Sequence, residues 1–235
     1  MSAHKRKLLA TVGKGSAGKT TLSRYLRHVH DVRGVPVVSC DADPINSTFS
    51  RYYRDAERVP RGRDVDIQNF LRDTVFEAVL SGTNVILDLG SGSEGVFGHW
   101  GLAQSIGQIA ADEGFDLWIL GVFCTNADAV TSVHHVMSQI TPAKYAVVFN
   151  HGRLGDGDFQ NVQNHEYFKE ILQLSPMPLI IQEPALETSI YQFLDGRDLT
   201  FAEALATDCG LSRMAIAMLR AWLARMDAAF EQVIA

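Results

Sequence analysis

Residues 13–20, GKGSAGKT, satisfy the spacing GxxxxGK[ST] and follow directly on a short apolar run, KLLATV at 7–12. Such a loop can wrap a chain of phosphates. The glycines let backbone N–H groups converge on phosphate oxygens, and a helix opening at Lys19 would add the positive end of its dipole. In that arrangement Lys19 reaches the outer phosphates and the Thr20 hydroxyl faces a Mg²⁺ ion. The remaining loop positions, Gly13, Lys14, Gly15, Ser16, Ala17, Gly18 and Thr21, would line the same bound group. Lys14 is the oddity, because it adds a second cation one residue into the wrap.

Three further loci carry chemistry at the ends of apolar runs. SCDADP at 39–44 places Asp41 and Asp43 together, either as ligand-facing carboxylates or as turn and cap residues before Pro44. VILDLG at 85–90 ends in Asp88, the Walker B pattern, whose carboxylate would hold Mg²⁺ through water, with Asp41 as a possible second carboxylate. VVFNHG at 147–152 ends in Asn150, whose amide offers a donor and an acceptor either to an adenine edge or to its own turn. IIQEPAL at 180–186 brings the backbone of Pro184 and Ala185 to the same region.

These residues need a frame to hold them at one edge. Apolar runs at 7–12, 36–41, 84–90, 116–124, 144–150 and 178–183 read as strands covered on both faces, because most lack strict polar alternation. Helical stretches fall between them near 19–33, 65–81, 98–113, 127–140 and 165–173. This rhythm predicts an α/β fold: a doubly wound, mostly parallel sheet flanked by helices. Ligands of such sheets sit beyond the carboxyl ends of the strands, where all the residues above fall. Two turn-rich loops, 88–98 and 150–161, read as connections or as segments that sense the ligand.

At 235 residues the chain suits a single domain, with 199–235 a C-terminal helical extension packed on it. In 211–234 the apolar positions Leu211, Ala215, Met218, Leu219, Trp222, Met226, Ala229 and Val233 share a face. The composition is that of an ordinary globular protein, and a net charge of -6 argues against a protein that coats DNA. Cys40, Cys124 and Cys209 show no metal-type spacing and read as buried structural thiols. The N-terminal apolar run is too short for a signal or a membrane span, which points to the cytoplasm. His28 and His30, like the adjacent His134 and His135, lack metal-ligand spacing. Arg51, Arg54, Arg58, Arg61 and Arg63 crowd into 50–63, either as a solvated connection or as a contact to an acidic partner or DNA phosphates.

The segment KGSAGKTT resembles the deviant Walker A box, KGGxGKTT, of the ParA/MinD family of P-loop ATPases. CDADP is similar to that family's DxDP segment, ILDLG to its Walker B strand, VVFN to the strand ending in its adenine-contacting asparagine, and IIQEPAL to its late adenine loop. Within the family, DADPINSTFSRYYR and the C-terminal region look most like the plasmid-encoded TraL-type conjugal transfer ATPases. The resemblance implies a Mg²⁺-dependent ATPase that binds ATP and ADP, forms an ATP-dependent homodimer and hydrolyses slowly until a partner protein stimulates it. It implies that Lys14 crosses to the partner subunit's nucleotide, that Asp43 positions the attacking water, and that Lys14, Lys19 and Asp43 together carry catalysis. Service to plasmid DNA transfer or partition would follow, with DNA contact open and no membrane span. Ser16 departs from the family by standing where a second glycine is usual, and LGSGSEG after Asp88 replaces the TPP of the partition branch. Two other readings remain: a P-loop ligase or kinase that passes the γ-phosphoryl group to a small molecule, and a nucleotide-binding module with little hydrolysis.

Overall fold

The computed structural model describes residues 5–90, 92–153, 158–206 and 208–235. In chain order the first half comprises β1 (Lys7–Val12), α1 (Lys19–Arg33), β2 (Val37–Asp41), α2 (Phe49–Tyr52), β3 (Glu57–Arg58), α3 (Asp64–Phe70), a π-helical stretch (Leu71–Phe76), α4 (Glu77–Leu80) and β4 (Asn84–Asp88). Next come α5 (Glu94–Ala103), α6 (Ile106–Asp112), β5 (Asp116–Phe123), α7 (Asp128–Gln139) and β6 (Lys144–Asn150). The last part holds α8 (Gln160–Asn164), α9 (Glu166–Ile171), β7 (Leu179–Glu183), α10 (Thr188–Asp195), α11 (Phe201–Ala204), α12 (Arg213–Ala229) and α13 (Glu231–Ile234).

Among the described residues the seven strands form one sheet in the order β3-β2-β4-β1-β5-β6-β7. Every neighbouring pair is parallel. Side chains alternate across it, yet both faces are apolar. Leu8, Ala10 and Val12 of β1 join the core under α3 to α9, while Leu9 joins the core under α1, α2 and α10 to α13. β5 repeats the division, with Leu117, Ile119 and Phe123 on one side and Trp118, Leu120 and Val122 on the other. A strand buried twice in this way shows a continuous apolar run instead of alternation, the pattern that marked these segments in the sequence. The expected α/β doubly wound architecture is therefore present.

The element boundaries differ in places. The expected helix 98–113 starts earlier, at Glu94, and divides at Ser105, whose φ of 53° breaks the helical path. The expected strand 84–90 stops at Asp88, leaving Leu89 and Gly90 to carry the chain across the sheet edge. The expected helix at 165–173 is present as the shorter α9, with a separate short helix, α8, before it, and 65–81 contains the π-helical stretch. β3 and α10 were not anticipated: two strand residues leave no periodic trace, and α10 has only eight residues with Ile190 and Leu194 buried.

The C-terminal helix α12 packs on the body of the protein. Trp222 is 1% exposed, meets Tyr25 edge-on at 6.5 Å between ring centroids and Phe201 at 5.3 Å, and donates its indole N–H to Pro184 O at 2.8 Å. Met218, expected on the buried face, is partly exposed, and Leu223 takes a place in the core instead. No described helix is long and apolar enough to cross a membrane. Cys40 is buried, whereas Cys124 and Cys209 are half-buried, so only the first fully matches the expected buried thiol.

Candidate nucleotide site at the strand ends

β1 lies between β4 and β5, where the winding of the chain reverses, and the glycine-rich loop leaves its carboxyl end there. The loop needs its glycines. A Cβ on Gly13 would stand 2.4 Å from Val122 O, and one on Gly18, where φ is 107°, would stand 2.0 Å from Asn150 Nδ2. Ser16 holds a left-handed φ of 68° with a side chain attached, a conformation that costs about 1–2 kcal/mol. This is the strain implied by its departure from glycine. Gly18 leaves the first turn of α1 without a side-chain cap, and that turn holds no acidic residue, so its backbone N–H groups are available to an anion.

The loop opens on a cleft of about 300 Å³ whose lining includes Gly15, Ser16, Lys19, Thr20, Asp43, Asp88 and Tyr191. The residues singled out in the sequence from β1, β2 and β4 thus meet at one place. Thr20 Oγ1 donates to Asp88 Oδ2 at 2.7 Å. The other Asp88 oxygen accepts Ser23 Oγ at 2.9 Å and Thr11 Oγ1 at 3.0 Å. Burial pushes the Asp88 carboxyl up to about 6, with the neighbouring charge of Asp41 adding to the rise and the Thr20 and Ser23 hydrogen bonds opposing it. Asp41 is fully buried and is also raised by burial, while the backbone amides of Ser50 at 2.8 Å and Asp43 at 3.1 Å hold its carboxylate.

Asp43 reaches the cleft and at the same time builds its own turn. Its Oδ1 accepts the amides of Ile45 at 2.9 Å and Asn46 at 3.0 Å. Gly90 lets the β4 exit pass against it, since a Cβ there would lie 2.5 Å from the Asp43 carboxyl carbon. Lys19, 7% exposed, bonds the carbonyl oxygens of Gly13 and Lys14. Lys14 points to the start of α7, where it pairs with Asp128 in a largely exposed ion pair.

A second, smaller cleft of about 90 Å³ shares Thr21 and Tyr191 with the first and is lined by Asn150, Glu183, Pro184 and Trp222. Asn150 ties the β6 exit to the glycine-rich loop: Nδ2 donates to Ala17 O and Oδ1 accepts the Gly152 amide, both at 2.9 Å. Pro184 lines the cleft, whereas Ala185 lines a neighbouring groove with Met218 and Arg225.

Sequence reasoning missed Glu94, Thr11, Ser23 and Tyr191. Glu94 is 3% exposed, accepts the Gly13 amide at 2.9 Å and stands 3.1 Å from Lys19 Nζ; burial raises its carboxyl and the Lys19 charge opposes that rise. Its only signal was a glutamate in the turn-rich segment after Asp88. Of the basic cluster at 50–63, Arg51 pairs with Asp195 and Asp198, and all five arginines are exposed. Ser91 and residues 154–157, parts of the two loops read as possible sensors, lie outside the described residues.

The donor set around Thr20 fits a hard cation. Thr20 and Asp88 offer it a hydroxyl and a carboxylate on the cleft lining, while Asp41 lies beside Asp88 on the neighbouring strand and outside that lining.

Comparison with known proteins agrees with this geometry. No family model matches the chain. Two Escherichia coli proteins named TraL are similar to it, one 26% identical over 209 residues, covering 83% of this chain and 84% of its own. The other is 25% identical over 211 residues, covering 83% and 85%. Among solved structures, the MinD cell division protein of Aquifex aeolicus matches with a TM-score of 0.50 at 16% identity, across 95% of this chain and 97% of that one. The chain thus shares its fold with MinD and is similar in sequence to TraL, the resemblance its motifs carried.

Proposed function

We propose that this protein is a Mg²⁺-ATP-dependent switch ATPase of the ParA/MinD type, dimerising around its nucleotide and serving plasmid DNA transfer, as its likeness to TraL suggests. The observation that carries the reading is the convergence of the strained loop, Lys19, Thr20, Asp88 and Asp43 on one cleft at the β1 switch point. In this reading the phosphates lie in the larger cleft against the first turn of α1. The base lies toward Pro184 and Asn150 in the smaller one.

Thr20 and Asp88 would hold Mg²⁺, with Asp41 behind them. Bound there, the ion neutralises charge on the outer phosphates. The chain's own part is to bind and orient: the backbone N–H groups of the loop and Lys19 hold phosphate oxygens, and Asp43 orients a water for attack. Lys14 would leave Asp128 and reach the partner subunit's nucleotide, offsetting negative charge that develops in phosphoryl transfer. Hydrolysis is slow until a partner protein completes the site.

Light scattering on the size-exclusion peak tests this, with wild type and Lys14→Ala compared without nucleotide, with ADP, and with a slowly hydrolysed ATP analogue plus Mg²⁺. Wild type should double its mass only with the analogue, and Lys14→Ala should stay monomeric throughout. A mass independent of nucleotide would remove the switch reading.

A further inference from the structure

An ammonium group has three protons, and Lys19 already has three acceptors: the carbonyl oxygens of Gly13 and Lys14, and Glu94 Oε1 at 3.1 Å. The same glutamate oxygen accepts the Gly13 amide at 2.9 Å. A glycine amide and the loop lysine are two of the donors that such a loop offers to a phosphate oxygen. The buried Glu94 carboxylate, behind the loop and outside the cleft lining, thus holds the one cation that the cleft shares with it, Lys19.

We infer that Glu94 is an internal competitor of the nucleotide: it holds Lys19 in this conformation and must yield that lysine before a triphosphate can engage it. The inference rests on the nucleotide reading above. Lys19 cannot serve a phosphate and keep all three present acceptors. A carboxylate left beside an arriving phosphate would also face strong repulsion in a buried setting. Glu94 is the least tethered of the three acceptors, because the two carbonyls belong to the loop itself.

The position of Glu94 gives its release a consequence. It is the first residue of α5, so a withdrawal of its carboxylate acts on the first turn of that helix. α5 is closely seated on α7, where a Cβ at Gly98 would lie 2.7 Å from Gln139 Oε1. Entry of a phosphate chain is thereby coupled to the α5 and α7 face, on the far side of the sheet from α1.

Calorimetric titration with ADP and with a slowly hydrolysed ATP analogue, each with Mg²⁺, tests the competition in wild type, Glu94→Gln and Lys19→Ala. The glutamine keeps the size and an acceptor but not the charge. Binding by Glu94→Gln should be about tenfold tighter than wild type, the scale of one charged hydrogen bond no longer exchanged. Equal or weaker binding by Glu94→Gln, with wild type binding and Lys19→Ala failing to bind, would overturn the competition and leave the nucleotide reading intact. If wild type and Lys19→Ala bind equally, or neither wild type nor Glu94→Gln binds, the nucleotide reading itself fails and the competition with it. Amide hydrogen exchange on wild type needs no variant: saturating the protein with the analogue should change protection at 94–98. Unchanged exchange there would overturn the coupling.

Discussion

At Asp88 the fold keeps a costly buried carboxylate at the edge of the cleft. It is 4% exposed and takes three hydroxyl hydrogen bonds, yet its carboxyl is raised from 3.8 to about 6 because burial outweighs them. The folded carboxyl thus holds its proton more tightly than the unfolded one. It favours folding fully below about 4, and that contribution is lost as pH rises through about 6, where the folded state keeps a buried charge. Asp88→Asn should therefore raise stability at pH 7.5 by roughly 2–3 kcal/mol, with the gain shrinking to about 1 kcal/mol at pH 4.5 and toward zero below about pH 3.8. Urea midpoints for both proteins across that range would check it, and an equal gain at every pH would contradict it. The same variant should bind triphosphate with weaker dependence on Mg²⁺. At this scale the sequence spoke through spacing: the loop, Asp43 and Asp88 were legible because their motifs are local. Glu94, Thr11 and Ser23 were not, since a lone glutamate or hydroxyl acquires its role only when β1, α1, β4 and α5 bring it to Lys19 or Asp88.

The central strands were legible because each is buried on both faces, and α1 because a glycine stands at either end, Gly18 and Gly34. What stayed hidden was decided by packing at a distance. α10 forms because Ile190 and Leu194 meet the core beneath α1 and α12, and α5 parts from α6 at a single left-handed serine. α12 was legible as an amphipathic stretch, but its partner was not. The structure supplies that partner in Tyr25 of α1 and Pro184 of the second cleft. Removing Trp222 should accordingly act at both places. Trp222→Ala is expected to cost about 3–5 kcal/mol of stability, as for other large-to-small changes in a packed core. Trp222→Phe keeps most of the volume and loses the bond to Pro184 O, so its cost should fall nearer 1–2 kcal/mol. Denaturant unfolding gives both values. Equal losses in the two variants would mean that the hydrogen bond, and not the packing, ties α12 to the cleft.

For the whole molecule, the site has no existence apart from the fold. Its parts come from residues 13–20, 41–43, 88, 150 and 184, and only a parallel sheet with all its carboxyl ends at one edge brings them together. A nucleotide that recognises this assembly binds the folded chain and not the unfolded one, so its affinity must appear as stability. At a free concentration of about 100 Kd the gain is about 2.7 kcal/mol. For a chain of 235 residues, a gain of that size corresponds to a rise in Tm of roughly 5–10 °C. Thermal scans at graded concentrations should show the midpoint climbing with the logarithm of ADP or of an ATP analogue with Mg²⁺. Chelation of the metal should reduce the rise for the triphosphate. Lys19→Ala separates binding at this cleft from nonspecific stabilisation, since the variant keeps the sheet and the helices but loses the cation that the proposed function assigns to the outer phosphates. Its midpoint should stay flat at every nucleotide concentration; a rise matching that of wild type would place the nucleotide somewhere other than the glycine-rich loop.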